Sequence, residues 1–259
     1  GMRKFLKILL IIPVLYIIII PIYFASSSNA GPCMGIEVII RDSSEYHFVT
    51  EKQLLNLVHN GSGRIVGTPA KDISATEIEN RINVLRELKV AEVYMTIERR
   101  LKIYVDQRDP VMRVMPEEGG DFFVDDEGVV VRKRNLYNPR LHIVGGNINI
   151  TSAMLNGVSV LDTSIRYTVL RDIYHLVNYI SDDSFWSAQI DQIYVDKYDE
   201  IDLIPRVGNH VIHLGTTENY KGKLRNLETF YEKVLPDVGW NKYSLISLEF
   251  KDHIVCKRR

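Results

Sequence analysis

The chain has 259 residues, 46% hydrophobic and 25% charged, with 32 Lys and Arg against 33 Asp and Glu for a formal net charge of −1. That near-neutral balance argues against a broad nucleic-acid-binding face. Two cysteines at opposite ends, Cys33 and Cys256, make neither a disulfide framework nor a metal knuckle. The length exceeds one average domain, so two small domains are expected after the N-terminal segment.

That segment runs from Ile8 to Phe24, about 17 uncharged residues rich in Ile, Leu, Val and Tyr. As a helix it would be roughly 25 Å long, near the lower limit for crossing a bilayer core. Arg3, Lys4 and Lys7 precede it and no charge follows until Glu37. The positive-inside rule then leaves residues 1–7 in the cytoplasm, residues 8–24 as a transmembrane helix and everything later outside the cytoplasm. Pro13 and Pro21 are better tolerated in a membrane helix than in a soluble one. A cleaved signal peptide is the competing reading, because Ser28-Asn29-Ala30 suits a signal peptidase, although the apolar run is long for a signal core. Residues 25–34 form a polar linker.

From Gly35 to Arg41 the β-branched residues predict a strand. Thr50-Glu51-Lys52-Gln53 is a capping-box pattern opening a helix with Leu54, Leu55, Leu57 and Val58 on one face. A second such pattern, Ser74 to Glu77, opens a helix carrying Ile78, Ile82, Leu85 and Leu88. The period then changes to two: Val93, Met95 and Ile97 alternate with polar residues, as do Leu101, Ile103 and Val105, with Arg99-Arg100 as the turn between them. The order is strand, helix, helix, strand, strand. Later, Asp126-Glu127-Gly128 between apolar runs predicts a hairpin, and Leu141 to Val144 a strand. Asp162 is placed to cap a helix over 163–180. Strands are expected over 189–195, 200–206 and 210–215, a helix over 221–235 stopped by Pro236, and terminal strands over 244–250 and 253–258. A sheet with helices on one face is the natural layering.

The first order resembles a POTRA domain, a small module of bacterial envelopes that holds polypeptide partners. Tyr104 to Val114, with Asp109-Pro110-Val111, is similar to the strand through which the POTRA domain of the FtsQ/DivIB family enters its second domain. Phe122-Phe123-Val124-Asp125-Asp126-Glu127-Gly128 is similar to that family's hairpin. The resemblance covers nearly the whole chain. It implies an α+β protein with an N-terminal transmembrane helix, a POTRA domain over residues 35–107 (β-α-α-β-β), and a mostly antiparallel sheet domain with helices on one face over residues 108–259.

Catalytic signals are few. His210-x-x-His213 would sit on one strand with the two rings on opposite faces, which cannot converge on one ion. Asp125-Asp126-Glu127 lacks the ligand spacing of a calcium loop. Gly61-Ser62-Gly63 lacks the strand-then-helix context of a nucleophile elbow. No catalytic residue, cofactor, metal, nucleic acid or small-molecule substrate is expected, and no enzyme. An enzyme whose site is assembled from distant residues stays open, as does an envelope accessory protein of a secretion or outer-membrane assembly pathway. Arg132-Lys133-Arg134 reads as a solvated strand end or as a contact to anionic lipid or an acidic partner.

At the C-terminus, Ile246, Leu248 and Phe250 alternate with Ser247 and Glu249, and Ile254 and Cys256 alternate with Val255 and Lys257. A terminal strand at a sheet edge can accept a partner strand. Equally, Lys251, Lys257, Arg258 and Arg259 could protect it from doing so. The family resemblance favours docking: it implies that this edge receives division proteins of the FtsB/FtsL type. The implied contact residues are Leu248, Phe250, Lys251, His253, Ile254, Val255, Cys256, Lys257 and Arg258. It further implies other divisome contacts through the POTRA domain, at the division septum of the cytoplasmic membrane.

Overall fold

The structure is a computed structural model and describes residues 16, 17, 20, 31–41, 47–133, 139–250 and 253–259. Of the apolar run at 8–24 only Tyr16, Ile17 and Ile20 fall within it, and among the described residues no helix is long and apolar enough to cross a membrane. The chain divides into two compact units, Gly1–Gln107 and Arg108–Arg259.

The first unit is β1 (Gly35–Ile40), α1 (Glu51–Ser62), α2 (Ala75–Ile82), β2 (Leu88–Met95) and β3 (Arg100–Gln107). Its sheet order is β1-β3-β2, with β1 parallel and β2 antiparallel to β3. Both halves of the capping box at Thr50 and Gln53 form. Leu101, Ile103 and Val105 of β3, Leu54 and Val58 of α1, and Ile78 and Ile82 of α2 are all fully buried, at 0% exposure. Helix α2 is shorter than its apolar spacing predicts. Asn83 caps it, and Leu85 and Leu88 continue as i→i+3 turns, with Leu88 already opening β2. A spacing of three serves a turn as well as a helix, which hides the boundary. The β2–β3 turn is Thr96 to Arg99, with Arg99 at φ 58°. Ile97 therefore leaves the alternation and is 84% exposed.

Gln107 closes this unit. It is 2% exposed; its Oε1 accepts from the Phe48 and Val49 amides at 2.9 and 3.1 Å, and its Nε2 donates to the Arg41 carbonyl. Gln107→Ala removes this shared acceptor from two buried amides and is expected to destabilise the first unit by about 2 kcal/mol. Hydrogen exchange at the Phe48 and Val49 amides checks this.

The second unit is built from β4 (Pro110–Pro116), β5 (Phe122–Asp125), β6 (Val130–Arg132), β7 (His142–Gly146), α3 (Ser152–Leu155), α4 (Val169–Asp182), α5 (Ser184–Gln189), β8 (Ile190–Val195), β9 (Ile201–Pro205), β10 (Val211–Gly215), α6 (Tyr220–Lys233), α7 (Leu235–Val238), β11 (Tyr243–Ser247) and β12 (Val255–Arg258). Among the described residues its nine strands are ordered β12-β11-β10-β9-β8-β7-β4-β5-β6. Five neighbouring pairs are antiparallel and three are parallel, so the sheet is mixed. Two of the parallel joins are made by helical crossovers: α3 to α5 carry the chain from β7 to β8, and α6 and α7 carry it from β10 to β11. Parallel neighbours require connections of that kind. Leu170, Ile173, Leu176, Val177 and Ile180 of α4, Leu224, Leu227 and Tyr231 of α6, and Trp186 pack with Ile193, Leu203, Ile212 and Ile246 in one core.

Three helices differ from expectation. The helix predicted over 163–180 begins only at Val169, because the Asp162 carboxylate accepts the Ser164 amide at 2.8 Å and makes a local turn instead of a helix cap. Helix α5 is an element beyond those the sequence pattern predicts. The Asp183 carboxylate accepts the Phe185 and Trp186 amides there and seats Trp186, which is 1% exposed. Helix α6 ends at Lys233, and Pro236 lies in the first turn of α7, where its missing N–H costs nothing.

Candidate protein-binding edge

Strand β12 pairs antiparallel with β11, Ile246 opposite Cys256 and Ser247 opposite Val255, and is the outermost strand of the sheet among the described residues. The register shifts between Tyr243 and Leu245; the intervening Ser244 donates its hydroxyl to the Lys257 and Arg258 carbonyls at 3.3 and 3.4 Å. One side of β12 is thus held by β11. On the other, alternate backbone amides and carbonyls face outward, as they do on any sheet edge.

Side chains sort by face. Ile254 and Cys256 pack against the core, and burial pushes the Cys256 thiol up. Val255, Lys257 and Arg258 are exposed, Val255 at 48%. His253 is exposed as well, and Lys251 lies outside the described residues. β11 stops at Ser247, so Phe250 sits in the β11–β12 connection and is 53% exposed. Leu248 differs from its neighbours. It is 2% exposed and its amide donates to the His213 carbonyl at 2.8 Å, so it holds the connection onto β10 and presents no side chain at the surface. Lys242 and Arg259 add exposed positive charge, and the Arg259 guanidinium donates to the Asn209 carbonyl at 2.8 Å. Phe250 and Val255 are thus the exposed apolar groups of this edge, with positive charge from Lys242, Lys257, Arg258 and Arg259 and a negative charge from Glu249.

The first unit shows what a closed edge looks like. On its outer strand β2 the Val93 amide, turned away from β3, donates to Glu79 Oε2 of α2 at 2.9 Å. The register also shifts between Leu88 and Val90. A side-chain acceptor and a bulge both hinder strand addition.

Below β10 and β11, His210 is 2% exposed and its Nε2 shares a 2.6 Å hydrogen bond with the Tyr231 hydroxyl, inside a cluster with Trp186, Phe185 and Trp240. His213 points to the other side and pairs with Asp202 at 2.7 Å. The two rings therefore serve different surroundings. Burial holds the His210 and His142 pKa values below the ordinary histidine value, Arg206 adding to the effect at His142. The folded state then keeps these rings neutral while the unfolded chain takes up protons below pH about 6.5. Stability of the second unit is expected to fall as pH drops through that value towards the lower folded-state pKa values. His210→Gln, which keeps a polar partner for Tyr231 but cannot titrate, should flatten the loss measured by urea unfolding between neutral pH and mildly acidic pH.

The expected hairpin is built around Asp125. Gly128 adopts φ 75°, as the turn requires, and the Gly128 amide donates to the Asp125 carbonyl. Asp125 is 1% exposed: its Oδ1 accepts the Glu127 and Val129 amides at 3.0 and 2.6 Å, and its Oδ2 meets Arg108 Nη1 at 2.6 Å. Burial pushes this carboxyl up despite Arg108. With every oxygen committed to the hairpin, Asp125 acts as a structural group. The Arg132–Lys133 end of β6 is also partly engaged, with Arg132 over the Phe122 ring at 5.2 Å, while Arg134 lies outside the described residues. Neither Arg108, Gln107 nor the His210–Tyr231 pair stands out in the sequence, since each partner lies far along the chain.

A β-α-α-β-β unit followed by a mixed sheet in which β12 is outermost among the described residues defines a two-domain protein of POTRA and sheet-edge type. The chain belongs to the FtsQ/DivIB family: residues 109–257, more than half of it, match the model of the FtsQ/DivIB C-terminal related domain, and residues 31–106 match that of the POTRA-like domain. Both are non-catalytic families, and the first points to a role in cell division. No curated protein matches the chain.

Proposed function

We propose that this protein is a non-enzymatic scaffold of the division complex. It would span the cytoplasmic membrane once through residues 8–24, with its N-terminus in the cytoplasm and both units outside it. There it would bind division proteins of the FtsB/FtsL type along β12 and link them to septal wall synthesis. The observation that carries this reading is the edge of β12, outermost among the described residues, with Val255 exposed on it and Phe250 exposed in the connection before it, in a chain of the FtsQ/DivIB family. An added strand takes its affinity from backbone hydrogen bonds and its selection from alternate side chains. Other division proteins would meet the first unit.

The test is photo-crosslinking in living cells with a photoreactive residue at Phe250 and, separately, at Tyr94 of β2. Position 250 is expected to trap a small single-span coiled-coil protein at mid-cell. Capture of a secretion component around the whole envelope, or of nothing, would remove the division role.

A further inference from the structure

One end of the first unit gathers three exposed apolar side chains and a surplus of arginine. The topology puts them there. Because β1 runs parallel to β3 with Gly35 opposite Arg100, the start of β1 lies beside the β2–β3 turn. The Met34 amide donates to the Arg99 carbonyl at 2.8 Å. The segment after α1 joins the same end: the Gly67 amide donates to the Cys33 carbonyl at 2.9 Å, and the Cys33 amide to the Thr68 carbonyl at 2.8 Å. Met34, Val66 and Ile97 are 56%, 40% and 84% exposed there. Arg64 and Arg100 are exposed and Arg99 is half-buried against Gly31. Lys71 and Asp72 offset each other. The remaining acid, Glu98, is held below the ordinary carboxylate range by its own turn's backbone and Thr96, so it stays ionised and the end keeps a positive surplus.

We infer that this end docks on the anionic headgroups of the bilayer, with Ile97 entering the interface. This rests on residues 8–24 being the anchor. The step from Phe24 to Gly31 is seven residues, which reach about 25 Å at most when fully extended. The end that bears the basic and apolar groups is therefore the end tethered next to the membrane. Exposed apolar side chains ringed by Lys and Arg are the composition that binds anionic lipid surfaces. A short tether raises the effective concentration of that surface, so a contact too weak to recruit a free protein is populated here. Docking would fix how far the first unit stands from the membrane.

The test uses the full chain in nanodiscs of phosphatidylglycerol or of phosphatidylcholine, in a Cys256→Ser background that keeps the buried Cys33. An environment-sensitive fluorophore is placed at Ile97→Cys or, as the anchor control, at Ile17→Cys. Lipid-borne spin labels are expected to quench position 97 in phosphatidylglycerol. The ratio of docked to undocked forms should fall on the order of tenfold in phosphatidylcholine, or with Arg64→Glu and Arg100→Glu combined. High salt should lower it too. If position 17 is quenched by lipid and position 97 only by a water-soluble quencher, docking is overturned and the anchor stands. If neither position is quenched by lipid, both readings fall. A photoreactive residue at 97 that traps a protein in cells would reassign the surface to that partner.

Discussion

Asp125→Ala is expected to destabilise the second unit by about 3–5 kcal/mol, the cost of removing one member of a buried, hydrogen-bonded ion pair. Three bonds to the carboxylate are lost together, from the Arg108 guanidinium, 16% exposed, and from the Glu127 and Val129 amides, while Arg108 keeps Glu127 Oε2 at 3.4 Å. The damage should spread beyond the turn. The Tyr174 hydroxyl of α4 donates to the Asp126 carbonyl at 2.6 Å, and the Val160 amide to the Gly128 carbonyl at 2.8 Å, so the hairpin anchors the segment leading into α4. Asp125→Asn should cost less, because its oxygen can still accept both amides. Its NH2 group, however, opposes Arg108, so some loss remains. Both tryptophans, Trp186 and Trp240, lie in the second unit, and urea unfolding followed by their fluorescence reads it without interference from the first. Equal unfolding midpoints for wild type and Asp125→Ala would show that the pair contributes nothing net, which burial of the carboxyl makes conceivable only if desolvation cancels all three bonds.

The hairpin illustrates which parts of the fold can be read along the chain. Asp126, Glu127 and Gly128 announce a turn because the requirement for positive φ is local to one residue. Thr50 with Gln53 announces a helix start for the same reason: donor and acceptor are three residues apart. Strand order is another matter. Nothing near β7 says that it will lie between β4 and β8 and run parallel to both, since that depends on crossovers through helices far along the chain. Helix limits fail where two local devices compete, as at Asp162, whose carboxylate closes a turn on Ser164 before a helix can begin. The candidate site was legible in kind. An apolar alternation bordered by lysine and arginine indicates an edge, but only burial and the bond onto β10 separate Leu248, which is core, from Phe250 and Val255, which are surface.

That separation sets the prediction with the greatest functional consequence. In a complex of the full chain with an FtsB/FtsL-type pair, Phe250→Ala is expected to weaken binding by at least about 2 kcal/mol, roughly thirtyfold in Kd, the loss typical of a large aromatic anchor in an interface. The melting temperature should stay close to that of the wild type, because a side chain already 53% exposed contributes little to the core. Leu248→Ala should behave in the opposite sense: removing a side chain that is 2% exposed costs about 2–5 kcal/mol of stability, and binding suffers only as the edge itself loosens. The rim gives a third signature. Lys257→Glu with Arg258→Glu should slow association and remove its salt dependence while leaving dissociation nearly unchanged, since rim charges steer encounter more than they hold a complex. The three outcomes separate anchor, support and steering on one strand edge. If Phe250→Ala and the charge reversals both leave association and dissociation untouched while the chain stays folded, the cations around β12 act as guards of a closed edge, and the partner must dock elsewhere.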